Sequence, residues 1–438
     1  MNTPIATVGI YTLGCKVNQY ESEAIAEELE RHGIDVISAS EICDAYVINT
    51  CTVTAESDRK ARQFIRRAIA RNPHAPIVVT GCLAQTSPEM LSAIAGVDAV
   101  IGNTDKMTVA DEILRLLQRN EKNAEPQIAV SDIEHAAFEP MQITHFDRTR
   151  AYVKIEDGCE SRCTYCIIPS ARGNIRSKSE GEVLDEVRTL TENGCREVVL
   201  TGIETASYGK DLADTDLGIL LKKVDAIDRI GRVRLGSLDP SLIRPAFVER
   251  ISTLPSLAPH FHLSLQSGSS RILALMKRKY NAEQAMRAIT LLREAIPNVK
   301  FTTDVIVGFP QESEEDFRET VEFVRQARFL MVHIFPYSKR KGTPAASMSG
   351  QIPEEVKRRR LHELEAVVRE IREDLLREEI ATRPVTEVLF ESYENGVAYG
   401  HTADFLEVAM PSPIPLHGEL LRVRLTDTDG SLCFAERV

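Results

Sequence analysis

Residues 152–166 read YVKIEDGCESRCTYC, and this stretch decides the fold of the centre of the chain. The run at 152–155 is rich in aromatic and β-branched residues and predicts a strand. Cys159, Cys163 and Cys166 follow it with three and then two residues between them. Three thiolates this close together can bind one inorganic cluster. A [4Fe–4S] cluster normally takes four cysteines, so three ligands leave one iron open to an outside chelator.

Zinc and simple burial are the alternatives for these three cysteines. A closed structural zinc site needs four ligands, and no histidine or further cysteine lies near the motif. Burial as apolar residues would require three adjacent loop thiols to share one core. The spacing therefore favours an iron–sulfur cluster.

Strand-like and helix-like patterns alternate outward from this motif, which predicts an α/β fold with a parallel, barrel-like sheet. The six predicted strands lie at 152–155, 197–200, 233–235, 261–265, 302–307 and 331–335. The predicted helices between them include 180–192, 282–295 and 314–327. We therefore expect a curved sheet of six βα units.

The two ends of the chain have different patterns. Apolar runs at 7–11, 45–48, 77–79 and 97–101 alternate with helical patterns and predict a doubly wound parallel sheet. A long helix at 354–380 precedes short strands and turns, which predict a small antiparallel β-barrel. The expected domains are 1–118, a linker at 119–148, the central domain with its connecting helix at 149–380, and the barrel at 381–438.

Composition restricts the class of protein. The 438 residues include nine cysteines, an odd number in a chain without an export signal, which favours metal binding over a disulfide framework. No apolar run is long enough to span a bilayer, so we expect a cytoplasmic protein with no membrane partner. A net charge of -12 gives no general attraction to nucleic acid, and RNA binding would need local basic patches. No phosphate-binding or dinucleotide-binding glycine motif is present.

A second set of cysteines is dispersed in sequence. Cys15, Cys51 and Cys82 each lie just beyond a predicted strand of the N-terminal sheet. Ligands of open parallel sheets bind at the carboxyl ends of strands, so these thiols either meet in one crevice or are three independent cysteines. The sequence leaves both interpretations open. Cys43, Cys195 and Cys433 lack such a context, and we expect them to be structural.

The three-cysteine motif with Tyr165 before its last cysteine resembles that of the radical S-adenosylmethionine (SAM) superfamily. Within it the whole chain is similar to the methylthiotransferases. The shared motifs are GCKVNQYES at 14–22, TG at 201–202, SLQSG at 264–268, VGFP at 307–310 and FPYS at 335–338. The first of these is similar to the branch that modifies threonylcarbamoyladenosine in tRNA. Two positions depart from the pattern, because Glu204 stands where asparagine is usual and Gln311 stands where glycine is usual.

The resemblance implies two [4Fe–4S] clusters as catalytic cofactors, one on Cys15, Cys51 and Cys82 and one on the 159–166 motif. The second cluster would chelate SAM. The first would carry the sulfur that, once methylated, joins C2 of adenine after a deoxyadenosyl radical has removed its hydrogen. The resemblance also implies a C-terminal TRAM domain that binds RNA. The expected partners are the anticodon stem-loop of tRNA, an electron donor such as a flavodoxin-type reductant, and a sulfur donor.

Further residues are predicted from their positions after the barrel strands. Loops that follow barrel strands lie on one face, so residues there are candidates for SAM binding. They are Gly202, Glu204, Ser264, Gln266 and Asp304, with the aromatic rings of Tyr165 and Phe335 as candidates to flank adenine. The candidates for RNA binding are Lys339, Arg340 and Lys341 after the last strand, and Arg383 in the terminal domain.

Two other functions compete with this interpretation. One is a methylthiotransferase that acts on isopentenyladenosine in tRNA or on a ribosomal protein. The other is a two-cluster electron-transfer protein. An open ligand position in each cysteine group argues against the second, because electron carriers do not need one.

Overall fold

A computed structural model of the chain describes residues 6–119, 122–146 and 148–438. Residues 1–5, 120, 121 and 147 belong to the predicted N-terminal domain and linker and lie outside the described residues. The described residues form an N-terminal parallel sheet, two parallel sheets in the centre and a closed barrel at the C-terminus, with a short hairpin beside the cysteine motif.

The N-terminal sheet has six parallel strands in the order β2-β1-β3-β4-β5-β6. Its strands are β1 Thr7–Thr12, β2 Asp35–Ser38, β3 Ala45–Thr50, β4 Ile77–Gly81, β5 Ala99–Ile101 and β6 Gln127–Ala129. Its helices are α1 Lys16–Arg31, α2 Ala55–Arg71, α3 Cys82–Thr86, α4 Pro88–Ser92 and α5 Thr108–Arg119. All residues of β3 and β4 are buried, as expected for central strands covered on both faces. The predicted doubly wound sheet is confirmed.

Strand β6 lies inside the segment predicted as a linker. It pairs in parallel with β5, although all three of its residues are exposed. Because the strand is short and has no buried face, it lacks the alternation that reveals a strand in sequence. The predicted linker thus contributes the edge strand of the N-terminal sheet.

The centre of the chain contains the six predicted parallel strands. They are β7 Arg150–Lys154, β10 Glu197–Thr201, β11 Arg232–Leu235, β12 His260–Gln266, β13 Lys300–Val307 and β14 Met331–Pro336, while β8 Glu156–Asp157 and β9 Arg176–Ser177 form the hairpin. The helices are α6 Ile168–Arg172, α7 Glu180–Glu192, α8 Leu217–Asp225, α9 Pro245–Ile251, α10 Ser270–Leu275, α11 Ala282–Ala295 and α12 Glu314–Ala327. Helices α7, α11 and α12 begin at capping boxes, which fixes their first residues.

The six central strands form two sheets and not the single sheet that the alternation predicts. One sheet has the order β11-β10-β7 and the other β12-β13-β14. Two isolated bridges, Val233 to Leu257 and Leu238 to Leu263, lie where the sheets meet. The chain therefore curves around an interior, which we call the lumen. The architecture is barrel-like, as the sequence predicts.

Helix α13, Glu354–Thr382, leads to the closed C-terminal barrel. The barrel strands are β15 Val385–Glu394, β16 Val397–Thr402, β17 Glu407–Pro411, β18 Leu420–Thr428 and β19 Cys433–Arg437. All pairs are antiparallel except β17 with β19, which is parallel. The predicted small barrel is confirmed, with this one parallel pair as the difference. No described helix has the length and apolar character needed to cross a bilayer.

Candidate functional site

The loop of Cys159, Cys163 and Cys166 is held tightly by the backbone around it. Gly158 has φ +85°, and a Cβ there would lie 1.9 Å from the carbonyl oxygen of Asn174. The Cys159 amide donates to the Gly173 carbonyl at 3.0 Å. Glycine at 158 is thus required both by φ and by the close approach of the segment between α6 and β9.

Each sulfur of this group, which we call the core triad, accepts a hydrogen bond. The amide of Ser161 donates to Cys159 Sγ at 3.4 Å, and the amide of Ile168 donates to Cys166 Sγ at 3.4 Å. The Arg278 guanidinium donates to Cys163 Sγ at 3.4 Å. Donors directed at sulfur stabilise thiolates and tune the potential of an iron–sulfur cluster.

The structure brings Cys15, Cys51 and Cys82 together, and we call them the N-terminal triad. They lie at the carboxyl ends of β1, β3 and β4, as the N-cap of α1, the residue after β3 and the first residue of α3. A Cβ on Gly14 would lie 2.8 Å from Cys51 Cβ, so glycine is needed for the first and third loops to approach. The three cysteines form one group and are not independent.

The sulfurs of the N-terminal triad influence one another. Burial raises the pKa of Cys51 to about 11, and the Cys82 thiol beside it adds to the increase. Burial also raises the pKa of Cys15, while Arg172 opposes the increase. The Val53 amide donates to Cys51 Sγ at 3.5 Å. A bound cation would relieve the unfavourable proximity of three thiolates.

Arg172 links the two triads. It is the last residue of α6, just beyond the core triad, and its Nε donates to Cys82 Sγ at 3.3 Å. Helix α6 contacts α3, and Cys82 adds to the forces that raise the pKa of Cys166. The two groups of thiols therefore lie close together, on either side of the contact between α3 and α6.

Arg172 is itself fixed by fully buried carboxylates. Its guanidinium pairs with Glu21 and with Asp157, the latter at 3.1 Å. Lys154 Nζ also bonds to Glu21 at 2.8 Å, and Lys106 pairs with the same carboxylate. Burial alone would raise the pKa of Glu21, but these three cations hold it well below its usual value. Helix α1 is in this way joined to the core-triad loop.

Donor chemistry and spacing together fit cluster binding. All nine cysteines are free. Among the described residues, the one group that places three possible metal-ligand atoms within 4.8 Å of one another is His262, Asp304 and His333. The sulfurs of neither triad are therefore close enough together to bind a single tetrahedral ion. Each triad also accepts hydrogen bonds at sulfur, which fits a larger iron–sulfur cluster.

Four of the residues predicted to bind SAM lie on the wall of the lumen. Along β12, Ser264 and Gln266 are half-exposed while their neighbours Leu263 and Leu265 are buried. Asp304 of β13 and Phe335 of β14 are likewise accessible, and Phe335 is 47% exposed. Gln266 has φ +71° at a register shift in β12, a backbone strain often found at functional sites.

The remaining predicted SAM residues lie beside the core triad. Glu204 accepts hydrogen bonds from the Cys159 thiol at 3.2 Å and from the Ser161 hydroxyl at 3.1 Å. A Cβ on Gly202 would lie 2.4 Å from a carboxylate oxygen of Glu156. Tyr165 packs against the small apolar core that holds Phe309 and Tyr337.

Glu156 holds the 202–204 loop in place. It is fully buried and accepts a hydrogen bond from the Glu204 amide at 2.8 Å. Burial raises the pKa of Glu156 well above its usual value, and this amide opposes the increase. The buried Glu156 carboxyl group thus positions the loop.

The predicted RNA-binding residues differ in how they are engaged. Lys339 and Lys341 are exposed. Arg340 instead pairs with Asp58 and Thr52 of the N-terminal sheet domain. Arg383 pairs with Glu379 and Asp404.

Sequence reasoning missed three groups that contact or approach the triads: Arg172, Arg278 and Lys16. The two arginines come from loops and helix ends far from the cysteines in sequence, so no spacing identifies them. Lys16 directly follows Cys15 within the GCKVNQYES motif at 14–22, and this adjacency is the signal that could have identified it. The expectation of structural roles for Cys43, Cys195 and Cys433 agrees with their burial away from both triads.

Two family models match the chain. The model described as Radical SAM superfamily matches residues 153–324. The model described as Uncharacterized protein family UPF0004 matches residues 7–102, which contain the N-terminal triad. Fold and site together define a radical SAM protein with an added N-terminal sheet domain, and a radical SAM protein works with a [4Fe–4S] cluster and SAM.

Curated relatives extend over nearly the whole chain. "Threonylcarbamoyladenosine tRNA methylthiotransferase MtaB" of Bacillus subtilis (strain 168) is 40% identical over 432 residues, which cover 96% of this chain and 94% of the relative. "tRNA-2-methylthio-N(6)-dimethylallyladenosine synthase" of Aquifex aeolicus (strain VF5) is 34% identical and covers 94% and 98%. The chain belongs to the radical SAM methylthiotransferase family.

The solved structure of the radical S-adenosylmethionine methyltransferase TsrM from Kitasatospora setae has a similar fold. It superposes with a TM-score of 0.55 at 16% identity and covers 78% of this chain and 74% of that chain. At this identity the similarity concerns the fold alone.

Proposed function

We propose that this protein is a tRNA methylthiotransferase that converts N6-threonylcarbamoyladenosine next to the anticodon to its 2-methylthio derivative. The observation that carries the proposal is that two three-cysteine groups lie close together, with Arg172 of α6 donating to Cys82 of the N-terminal triad. The relative of that name matches this chain over almost its full length, which supports this choice of nucleoside.

The residues proposed to hold the cofactors are the two triads. The core triad would hold one [4Fe–4S] cluster with SAM, and the N-terminal triad would hold the second. When bound, these groups supply the radical and the sulfur for the reaction. Three cysteines in each group leave one iron of each cluster free for a further ligand.

The surrounding side chains would position these groups and exclude water. Arg278 donates to Cys163 Sγ and, through its other nitrogen, to the Ser264 carbonyl at 2.9 Å. It thereby fixes the core triad relative to the end of β12. Gly202, Glu204, Ser264, Gln266 and Asp304 are the proposed SAM contacts, with Tyr165 and Phe335 near the adenine.

RNA would approach from the side of the residues that follow β14. Lys339 and Lys341 are exposed there and are the proposed phosphate contacts. Arg340 would act indirectly, because it already pairs with Asp58. The C-terminal barrel is the proposed TRAM domain. An electron donor such as a flavodoxin-type reductant and a sulfur donor are the further proposed partners, in the cytoplasm.

The tRNA of cells with and without this gene provides the test. We expect mass analysis of its nucleosides to find the 2-methylthio derivative of threonylcarbamoyladenosine only when the gene is present. A Cys163→Ala copy should not restore it. Gain of the methylthio group on dimethylallyladenosine instead would assign the other nucleoside of the family, and an unchanged tRNA would contradict the proposal.

A further inference from the structure

The lumen contains a lysine that forms no ion pair with any described carboxylate. Lys16 is the first residue of α1 and directly follows Cys15 of the N-terminal triad. Electrostatic interactions with Arg234, Arg150, Glu197 and Asp304 of the central domain act on its ammonium group. Lys16 therefore extends from the N-terminal triad into the central domain.

The carboxylates near Lys16 are already engaged by other groups. Glu197 pairs with Arg234 Nε at 2.7 Å and lies 3.8 Å from Arg150. Asp304 pairs with His262 Nε2 at 3.3 Å. Among the described residues, Lys16 has neither an ion-pair partner nor a hydrogen-bond partner for its ammonium group.

A second unsatisfied donor lies in the same region. Arg234 is 2% exposed, and its Nη1 has no hydrogen-bond partner among the described residues. A buried donor without a partner costs free energy comparable to a lost hydrogen bond. The described part of the lumen thus holds an ammonium group without a counter-ion and an arginine nitrogen without an acceptor, and an anionic ligand would satisfy both.

A metal ion is a poor occupant of this region. His262, Asp304 and His333 have the residue types of a two-histidine, one-carboxylate site. However, His262 Nδ1 is occupied by the Thr302 hydroxyl at 3.0 Å, and the positive charge of Lys16 acts on His333. A divalent cation would add charge of the sign already in excess.

The unpaired ammonium group of Lys16 lies near the place where the substrate adenine would bind. In the proposed reaction the adenine lies between the two triads, and so close to Cys15, the residue that precedes Lys16. We propose that Lys16 binds the carboxylate of the threonyl group that the substrate adenosine carries on N6. This inference rests on the proposed function and makes Lys16 a specificity-determining residue.

Two anticodon stem-loop RNAs that differ in one charge test the inference. One carries threonylcarbamoyladenosine and the other its methyl ester, which keeps the shape but removes the negative charge. For the loaded wild-type protein, both kcat/KM and the equilibrium affinity should favour the acid by about 10-fold or more, as for a hydrogen bond to a charged group. A wild-type protein that treats both RNAs alike would overturn the inference.

Substitutions of Lys16 test whether this residue is responsible for the preference for the acid. Lys16→Gln should remove the preference for the acid, and Lys16→Arg should retain most of it. Lys222→Gln, on the exposed face of α8, should behave as wild type. If Lys16→Gln lowers activity on both RNAs equally, or raises the KM for SAM instead, the inference is wrong.

The same experiment separates the inference from the proposed function. Methylthiolation of the acid and the ester at equal rates would leave the function in place and exclude the role of Lys16. Absence of methylthiolation of either RNA by loaded wild-type protein would overturn both.

Discussion

The cysteines of the two triads are expected to serve different steps of the reaction. Cys163 lies in the core triad, where SAM is expected to bind, and accepts a hydrogen bond from Arg278. Cys51 lies in the N-terminal triad, packed against Gly14. Loss of one ligand from either triad leaves two, so each substitution should disable the cluster of its own triad and the steps that depend on that cluster.

We expect Cys163→Ala to abolish both 5′-deoxyadenosine formation and methylthiolation. Cys51→Ala should preserve SAM cleavage but stop sulfur insertion, because it leaves the core triad intact. Both products can be quantified by chromatography after anaerobic turnover. Cys195→Ala, buried outside both triads, is the matched control and should retain both activities. Undiminished deoxyadenosine from Cys163→Ala would rule out this division of roles.

Gln311 occupies a position where the backbone favours glycine. Its φ is +68°, and its amide donates to the Gly350 carbonyl at 2.7 Å. A left-handed conformation costs a residue with a Cβ about 1–2 kcal/mol, and glycine offsets part of this through its entropy when unfolded.

Gln311→Gly should therefore increase the free energy of unfolding by up to about 1 kcal/mol. Gln63→Gly, in the middle of α2, should reduce it by about 1 kcal/mol because glycine is a poor helix former. Thermal unfolding of both variants measures the difference. A lower free energy of unfolding for Gln311→Gly would show that the glutamine side chain stabilises the fold by more than its left-handed backbone conformation destabilises it.

At the residue scale, the cysteines were predictable and their partners were not. Spacing identified Cys159, Cys163 and Cys166, and position after strands identified Cys15, Cys51 and Cys82. Arg172 and Arg278 reach the sulfurs only through tertiary contacts, which leave no periodic pattern in sequence. Glu204 was predicted as a SAM contact, but its hydrogen bond to Cys159 was not foreseen.

At the scale of elements, strand β12 begins with a histidine that should remain neutral. His260 is fully enclosed and stacks on Phe405 at 4.4 Å, and its Nε2 lies 3.0 Å from the Thr302 hydroxyl. Burial lowers the pKa of His260 well below its usual value, and the charges of Arg234 and His262 lower it further. The unfolded chain therefore binds a proton at this residue before the folded chain does.

Stability should thus fall as pH drops below the ordinary histidine pKa of about 6.5, at up to about 1.4 kcal/mol per pH unit from this residue. His260→Gln removes the titrating group and should flatten that slope. Urea midpoints measured between about pH 7 and pH 5 provide the comparison. Parallel pH profiles for wild type and variant would contradict the assigned role.

Long elements with strong periodicity were predictable from sequence, and short exposed ones were not. The bounds predicted for α7, α11 and α12 agree with the structure, because each begins at a capping box. Strand β6 was missed because none of its residues is buried. The division of the central strands into two sheets depends on pairing between distant strands, which local patterns do not encode.

At the scale of the whole molecule, Phe405 docks the C-terminal barrel against the base of the lumen. Its ring stacks on His401 at 4.8 Å, and the Arg234 guanidinium lies 4.9 Å from its centroid. Arg232 also donates to the Glu387 carbonyl of β15 at 3.2 Å. The barrel is thus fixed to the central domain by an aromatic ring between cations.

Phe405→Ala should weaken this docking by about 2 kcal/mol, from lost burial and cation–π contact. Trypsin should then cleave faster at the exposed Arg377 near the end of α13, since the bond after Arg383 precedes Pro384 and resists trypsin. Phe434→Ala, on an exposed barrel residue, is the control and should leave the rate unchanged. Equal cleavage of all three proteins would argue against docking by Phe405.

The proposed reaction requires that each triad hold an open cluster and that the two clusters lie close together. Iron analysis and Mössbauer spectra of anaerobically reconstituted protein, with and without SAM, test it most directly. Wild type should hold about eight irons, and replacement of either triad by alanines should leave about four. SAM should perturb the spectrum only when Cys159, Cys163 and Cys166 are present. Full iron loading after loss of either triad, or a spectrum insensitive to SAM in wild type, would contradict the proposed reaction.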